Sequence, residues 1–356
     1  MPAWNGTGLS FDDWPVWLQA AWHRACKPND SFLEQGGAFA DWRPGTLDNA
    51  RAALSEFLAG FDGPLSPTDR LITRDNVSAY IASMYQRNLK IGTIHTRAAF
   101  LFRVAKRLWP DDDWAWFGMM VSRLAQHKYA APRVQRPFIH LRELYTAGFA
   151  LMDEAASRRI GVYRVLQYRD GLILALLAVA PVRIKNAQQA REEHLNVRAR
   201  TISWESHETK NHEPLCYDLP DDLTERLRQW LDVYRPWLLA HFGTESTALW
   251  LNRHGNGLSI IGLRHRIKFR SENAFGKTVR PHDIRSCVAT SIIMDFPERV
   301  EDARNLLGHR HPESIEPYKS AAAAFGAQRK TKSARAQIRQ RARQRRKPRL
   351  RLSDKP

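Results

Sequence analysis

The sequence predicts a mainly α-helical protein with one small β-sheet, organised in two domains. Apolar residues recur every three or four positions over many segments, the spacing that gives a helix one apolar face. Residues 200–204 and 214–217 instead alternate apolar and polar side chains, as paired strands do. Residues 130–137 show neither pattern and contain two prolines, so we expect a linker there.

These patterns divide the chain into five expected segments. They are an N-terminal extension rich in Trp and Gly (1–43), a helical domain (44–129), the linker (130–137), a second domain (138–327) and a basic tail (328–356). The tail is rich in Arg and Gln and has few apolar residues, so we expect it to be disordered in isolation.

The first domain is expected to contain helices only. Four apolar faces at helical spacing begin near residues 46, 73, 93 and 114. Gly60 ends the first helix, because glycine readily adopts the left-handed conformation that closes a helix, and Pro110 ends the third, because proline has no N–H for the helical ladder. The segment before residue 44 is expected to form short helices.

The second domain combines helices with the one expected β-hairpin. Helices are predicted around residues 140–156, 162–180, 223–239, 260–269, 283–294 and 300–307. Between the second and third of these, Arg200–Trp204 and Pro214–Tyr217 alternate on either side of a polar stretch. That arrangement predicts two antiparallel strands joined by a turn.

The net charge of +18 is concentrated at the C-terminal end. Residues 328–356 contain thirteen Lys or Arg and one Asp, which leaves +6 for all preceding residues. Such a run is typical of a segment that contacts a polyanion, although a solubilising tail is the alternative. Insertion into a membrane surface is disfavoured because the tail has no aromatic residue.

Other features of the composition indicate a protein of the cytoplasm. The longest apolar run, about residues 171–182, is shorter than the roughly 20 residues that span a bilayer, and no signal peptide is evident. Cys26, Cys216 and Cys287 are far apart, which fits a reducing compartment and gives neither a disulfide framework nor a zinc ribbon.

A candidate nucleophile lies near the end of the second domain. Leu306–His309 reads Leu-Leu-Gly-His, and Tyr318 follows nine residues after the histidine. Gly308 can close the preceding helix with a positive φ, so that His309 projects from a fixed turn. Taken alone, the alternative is a glycine-capped helix followed by an ordinary half-buried tyrosine.

Four further polar residues are candidates for the same chemistry. His282 and Arg285 are spaced i, i+3 and can share one face of a helix. Arg183 follows Pro181, which breaks a long apolar helix, and an arginine at such a break can bind a phosphate. Lys210 lies in the expected hairpin turn. Each residue alone has an ordinary alternative: a chance spacing, a surface arginine and a solvated turn lysine.

The order of these residues carries more information than any one of them. Along the chain they are Arg183, Lys210, His282, Arg285, His309 and Tyr318. With this order and the His-to-Tyr spacing, residues 138–324 resemble the tyrosine recombinase, or phage integrase, family. The helices of residues 46–127 look like the core-binding domain of that family, which has a SAM-like helical fold. The resemblance implies a mixed α/β catalytic domain after it.

Two features of the sequence depart from the family pattern or leave it open. Many members have Glu three residues after the first Arg, where this chain has Asn186. The missing acid is expected to support the site rather than to react. Lys185 and Lys277 compete with Lys210 for the lysine role, but neither lies between two strand-like segments.

The chemistry expected of the two arginines follows from the charge of a phosphodiester. Its transition state gathers negative charge on the non-bridging oxygens, which two planar guanidinium groups can bind bidentately. We expect Arg183 and Arg285 to do this, with a further hydrogen bond from His309.

The resemblance assigns the covalent step to the remaining residues. Tyr318 is expected to attack the phosphorus and form a 3′-phosphotyrosine. His282 is placed to deprotonate Tyr318 or to orient the phosphate, and Lys210 to protonate the departing 5′ oxygen. Rejoining then needs no nucleotide cofactor, because the covalent intermediate stores the bond energy. The sequence shows no glycine-rich phosphate loop, and no cluster of Asp, Glu and His has the spacing of a metal site, so we expect no metal, including at the His309-x-His311 pair.

The expected partner is double-stranded DNA rather than a membrane. The resemblance implies a homotetramer on DNA, with related recombinases or DNA-bending proteins as further partners near the nucleoid. The expected activity is integration, excision or transposition of a mobile element. The alternatives are a topoisomerase-like enzyme that nicks and reseals DNA, and a DNA-binding protein that kept the fold but lost catalysis.

Overall fold

The structure is a computed structural model that describes residues 4–29, 36–131, 137–308 and 312–327. It contains two compact units, Met1–Val134 and Gln135–Pro356. Both are dominated by helices, and the described strands all belong to the second unit. The expectation of a mainly α-helical protein with one small sheet is confirmed.

The first unit is a bundle of helices around one apolar core. Its α-helices are α1 (Val16–Ala25), α2 (Pro44–Leu58), α3 (Arg74–Gln86), α4 (Ile91–Leu108) and α5 (Ala115–Ala130). The last four confirm the helices expected from apolar spacing. Thr73 caps the start of α3 with a side chain that accepts a hydrogen bond from the backbone N–H of Asn76.

The tryptophan-rich N-terminal segment is part of that core. Trp4, Trp14 and Trp22 are buried among the apolar side chains of α2, α3 and α4. The indole N–H groups of the first two donate to the Phe57 carbonyl at 2.8 Å and to Ser55 Oγ at 3.0 Å. The described part of the expected extension, through these tryptophans, therefore belongs to the core of the helical unit.

The second unit begins with two long helices that cross closely. Its helices are α6 (Leu141–Ala156), α7 (Val162–Val179), α8 (Ile184–Gln188), α9 (Asp221–Gln229), α10 (Arg235–Phe242), α11 (Ile260–Phe275), α12 (Pro281–Asp295), α13 (Val300–Leu306) and α14 (residues 316–327). Gly148 of α6 meets Gly171 of α7, where a Cβ atom on either would lie 2.5–2.6 Å from the other's carbonyl oxygen. Glycine at both positions permits this contact.

The expected hairpin is present within a three-stranded antiparallel sheet. The strands are β1 (Leu195–Asn196), β2 (Thr201–Trp204) and β3 (Leu215–Asp218), in the order β1-β2-β3. Ile202 pairs with Tyr217, and both side chains are buried in the core of the second unit. This register places the loop between β2 and β3 beside the ends of several helices.

The helix expected at residues 223–239 is interrupted by a π-helical turn, Trp230–Tyr234, between α9 and α10. Pro236 has no N–H with which to bind the carbonyl of residue 232, so the regular i to i−4 ladder cannot continue there. A wider π turn accommodates this missing bond.

A buried ion cluster joins α7 to α11. Asp170 accepts hydrogen bonds from Arg169 at 2.6 Å, from Arg266 at 2.6 Å and from Arg270 at 2.9 Å. Burial alone would raise the pKa of Asp170, but the arginines around it hold that pKa below its usual range. The cluster fixes α11, which leads into α12.

In the described part of the chain, no helix combines the length and the apolar character needed to cross a lipid bilayer.

Candidate active site

Arg285 lies at the centre of the candidate site. It projects from α12, and only 6% of its surface is exposed. Its Nη1 donates to the Pro181 carbonyl, and its Nη2 donates to the Leu307 carbonyl at 2.7 Å. Because a guanidinium has five N–H donors, these two bonds leave capacity for a further acceptor.

The electrostatics around Arg285 favour an anion. Burial and then the nearby positive charge of Arg183 lower the pKa of Arg285 to about 10, while the phenols of Tyr217 and Tyr318 act in the opposite direction. Two guanidinium groups that repel each other in a partly buried place are stabilised when a negative group binds between them.

Arg183 stands where the chain leaves α7 and enters α8. It is half-buried, and burial lowers its pKa against the attraction of Tyr217 and Glu213. Its Nη2 donates to Oδ1 of Asn211 at 3.4 Å. The break after α7, which the sequence indicated from Pro181, therefore brings Arg183 beside Arg285.

Lys210 is exposed in the loop between β2 and β3. The loop before it is fixed by the carboxylate of Glu208, which accepts hydrogen bonds from Arg191 at 2.9 Å and from His194 Nε2 at 3.0 Å. Across it, Oγ1 of Thr209, the residue before Lys210, donates to the carbonyl of Glu213, three residues after Lys210, at 2.7 Å. Lys210 thus projects from a loop with anchored ends.

Asn186 supports the same loop. It is 3% exposed, and its Nδ2 donates to the Glu208 carbonyl at 3.1 Å. A glutamate at this position could not donate to a carbonyl when ionised. The departure from the family pattern at this residue therefore coincides with a side chain that this loop requires.

The chain end at α13 is held by three side chains. The carbonyls of Leu306, Leu307 and Gly308 accept from Tyr217 Oη at 3.0 Å, from Arg285 Nη2 at 2.7 Å and from Asn211 Nδ2 at 2.8 Å. Gly308 has a φ of +58°, the left-handed conformation that glycine adopts readily. This confirms the expected glycine turn; His309, the next residue, lies outside the described residues.

His282 is exposed in the first turn of α12, whereas Arg285 one turn later is buried. The carboxylate of Asp283 accepts from the backbone N–H of Arg280 at 3.0 Å and so fixes the start of the helix. The i, i+3 spacing led us to expect both side chains on one face, but they differ in burial: His282 lies in the first turn at the surface, whereas Arg285 is inside, next to the ends of α7 and α13.

Tyr318 lies on α14 and is half-buried. It packs against a small apolar cluster of Ala289, Ile293, Ala303, Leu307, Ile315 and Ala322. Further along α14, Phe325 stacks on Phe138, with ring centroids 4.4 Å apart. These contacts seat α14 against α12 and α13, where the Tyr318 phenol influences the pKa of Arg285.

Three of the six candidates lie close enough to interact electrostatically: Arg183 and Tyr318 both act on the pKa of Arg285. Lys210 is on the β2–β3 loop, whose next residue, Asn211, accepts a hydrogen bond from Arg183. His282 is at the surface of α12.

Sequence reasoning missed Asn211 and Tyr217. A weak signal existed for both: the first is adjacent to Lys210, and the second is an inward position of the predicted strand.

Within the ranges that the structure describes, no three His, Cys, Asp or Glu side chains are grouped so that they could bind a metal ion. Arginine and amide groups instead dominate the site, and these are anion ligands rather than metal ligands.

Comparison with protein families gave a match within the second unit. Residues 150–324 match the sequence model of the phage integrase family. A search of curated proteins gave no match.

Solved structures show the same fold, that of tyrosine recombinases. The XerH site-specific recombinase in its post-cleavage complex with palindromic difH substrate is 15% identical, with a TM-score of 0.55 over 81% of this chain and 78% of that chain. Its pre-cleavage complex with difH is 12% identical, with a TM-score of 0.51 over 86% and 93%. The Tn1549 transposon integrase in complex with transposon right end DNA is 11% identical, with a TM-score of 0.51 over 87% and 98%.

Asn186→Asp should destabilise the second unit by about 1–3 kcal/mol, because a carboxylate would face the Glu208 carbonyl without donating to it. Urea unfolding followed by circular dichroism measures this change. Asn196→Asp is the matched control: Asn196 is exposed and accepts a bond from the Ala199 N–H, which Asp can also do, so its effect should stay within about 0.5 kcal/mol. Equal effects of the two substitutions would contradict the role given to Asn186.

Proposed function

Because residues 150–324 form a domain of the phage integrase family, we propose that the protein is a site-specific DNA recombinase that cleaves and rejoins DNA through Tyr318. One observation carries this proposal: the buried guanidinium of Arg285 donates to the Pro181 carbonyl, two residues before Arg183, and to the carbonyl of Leu307, which packs in the same small apolar cluster as Tyr318. That combination suits attack by a phenol on a phosphodiester.

The proposed step is an in-line transesterification. The phenolic oxygen of Tyr318 forms a bond to phosphorus while the bond from phosphorus to the 5′ oxygen breaks, which leaves a 3′-phosphotyrosine and a free 5′ hydroxyl. His282 accepts the phenol proton, and Lys210 donates a proton to the departing oxygen. The reverse reaction with a 5′ hydroxyl of another strand rejoins the DNA.

The positive side chains supply the electrostatic part of catalysis. Arg183 and Arg285 bind the non-bridging oxygens, whose negative charge grows in the transition state. His309 adds a hydrogen bond to the same group. Since Arg285 is already fixed by the carbonyls of Pro181 and Leu307, it loses little side-chain freedom when the phosphate binds.

The partner is double-stranded DNA, and the functional assembly is a homotetramer on it. The solved relatives are complexes with difH and with transposon end DNA, which supports a role in moving or resolving a DNA element. In this proposal the helical domain, residues 44–129, binds DNA beside the catalytic domain, residues 138–327. The tail, residues 328–356, adds sequence-independent attraction to phosphates.

Tyr318→Phe should abolish the covalent protein–DNA adduct and leave DNA affinity within about threefold, because it removes one hydroxyl. The assay traps adducts on nicked duplexes that tile the DNA flanking the gene. Tyr163→Phe is the control: this tyrosine is 65% exposed in the same unit and should form the adduct normally. An adduct that persists in Tyr318→Phe would show that another residue is the nucleophile.

Removal of residues 328–356 should weaken binding to non-specific duplex DNA and flatten its salt dependence. The logarithm of the affinity changes with the logarithm of salt concentration by about 0.9 per phosphate contacted. With thirteen basic residues removed, we expect the slope to fall by at least about two units. Fluorescence anisotropy measured at salt concentrations from roughly 50 to roughly 300 mM gives this slope. An unchanged slope would mean that the tail does not contact DNA.

A further inference from the structure

We propose that Asn211 is a positioning residue of this site, which sets the orientation of Arg183 and of the turn at Gly308. The inference rests on the proposed function and adds a residue to it. Asn211 follows Lys210 in the loop between β2 and β3.

The amide of Asn211 joins two distant parts of the chain. Its Oδ1 accepts from Arg183 Nη2 at 3.4 Å, and its Nδ2 donates to the Gly308 carbonyl at 2.8 Å. These partners are 28 and 97 residues away in the sequence. A primary amide accepts and donates from one planar group, which a carboxylate or an ammonium cannot do.

Asn211 is attached to a loop that is fixed independently of it. Glu208 is bonded to Arg191 and His194, and its carbonyl accepts from Asn186. The amide therefore starts from a defined position in the fold. Its loss should leave the loop in place.

The turn at Gly308 also has other supports. Tyr217 and Arg285 bind the two preceding carbonyls, those of Leu306 and Leu307. Removing the Asn211 side chain should therefore release the carbonyl of Gly308, the residue before His309, without unfolding the end of α13. The same loss removes the acceptor that holds one guanidinium nitrogen of Arg183.

This role differs chemically from that of the neighbouring Lys210. In the proposed reaction Lys210 gives a proton to the 5′ oxygen as it departs. Asn211 transfers no proton; it keeps Arg183 in the geometry that binds the non-bridging oxygens. Small displacements of such a group reduce the reaction rate, although they alter ground-state binding little.

A sulfur leaving group separates the two roles. A 5′-bridging phosphorothiolate departs as a thiolate, which is stable near neutral pH without a general acid because a thiol has a pKa of about 8.5. Single-turnover cleavage is measured on an ordinary nicked duplex and on the same duplex with sulfur at the 5′ bridging position. Binding affinity and melting temperature are measured in parallel.

Asn211→Ala should cleave about 10–100-fold more slowly than the wild type on both duplexes, with DNA affinity within about threefold. Lys210→Ala should be slow on the ordinary duplex and should recover on the sulfur duplex. His207→Ala, at an exposed residue of the same loop, should behave like the wild type on both. Asn211→Gln, which keeps the amide but displaces it, should cleave at a reduced rate and retain the melting temperature of the wild type.

Two results would overturn the inference alone. One is a wild-type cleavage rate for Asn211→Ala, and the other is its recovery on the sulfur duplex, which would mean that the residue serves only to place Lys210. If the wild-type protein forms no adduct with either duplex, the proposed function fails and this inference fails with it.

Discussion

The burial of one guanidinium group, that of Arg285, is the constraint on which the site depends. A buried charge is costly unless its donors find acceptors, and here two backbone carbonyls accept from two of the five N–H groups. One carbonyl belongs to Pro181, two residues before Arg183, and the other belongs to Leu307, next to Gly308. The side chain can therefore be buried only when the ends of α7 and α13 are both in place, so that folding of the second unit assembles the site.

The small sheet has a corresponding role on the other side of these chain ends. Its hairpin contributes Tyr217 from a strand and Asn211 from the loop, which donate to the Leu306 and Gly308 carbonyls at the end of α13. Asn186 and Glu208 fix the loop itself. A sheet of three short strands thus supplies polar contacts that helices alone would not place at this point. These hydrogen bonds link β3, the β2–β3 loop, α8 and the end of α13, which favours one geometry of the site over alternatives.

Local sequence patterns predicted much of this architecture, and they failed where the cause was not local. Apolar spacing predicted α2 to α7 and α11 to α13, and alternation predicted the β2–β3 hairpin. The burial of Trp4 and Trp14 had no periodic signal, because their segment wraps around a core formed by other helices. The π turn follows from Pro236, whose effect on the preceding helix the apolar pattern does not reveal.

Asn211 could not be predicted as a site residue, since its partners are far away in the sequence. The six candidate residues came from their order along the chain, and their joint chemistry remains a prediction.

The most direct measurement of the central claim is cleavage of a duplex whose scissile phosphate is replaced by a neutral methylphosphonate. If Arg183 and Arg285 both act on the negative charge of one phosphate, Arg183→Ala and Arg285→Ala should each be severely impaired on the ordinary duplex, by about 100-fold or more. On the neutral duplex, where that charge is absent, the same variants should approach the wild-type rate. Equal impairment of either variant on both duplexes would contradict the claim, because its arginine would then be acting on something other than the charge of the scissile phosphate.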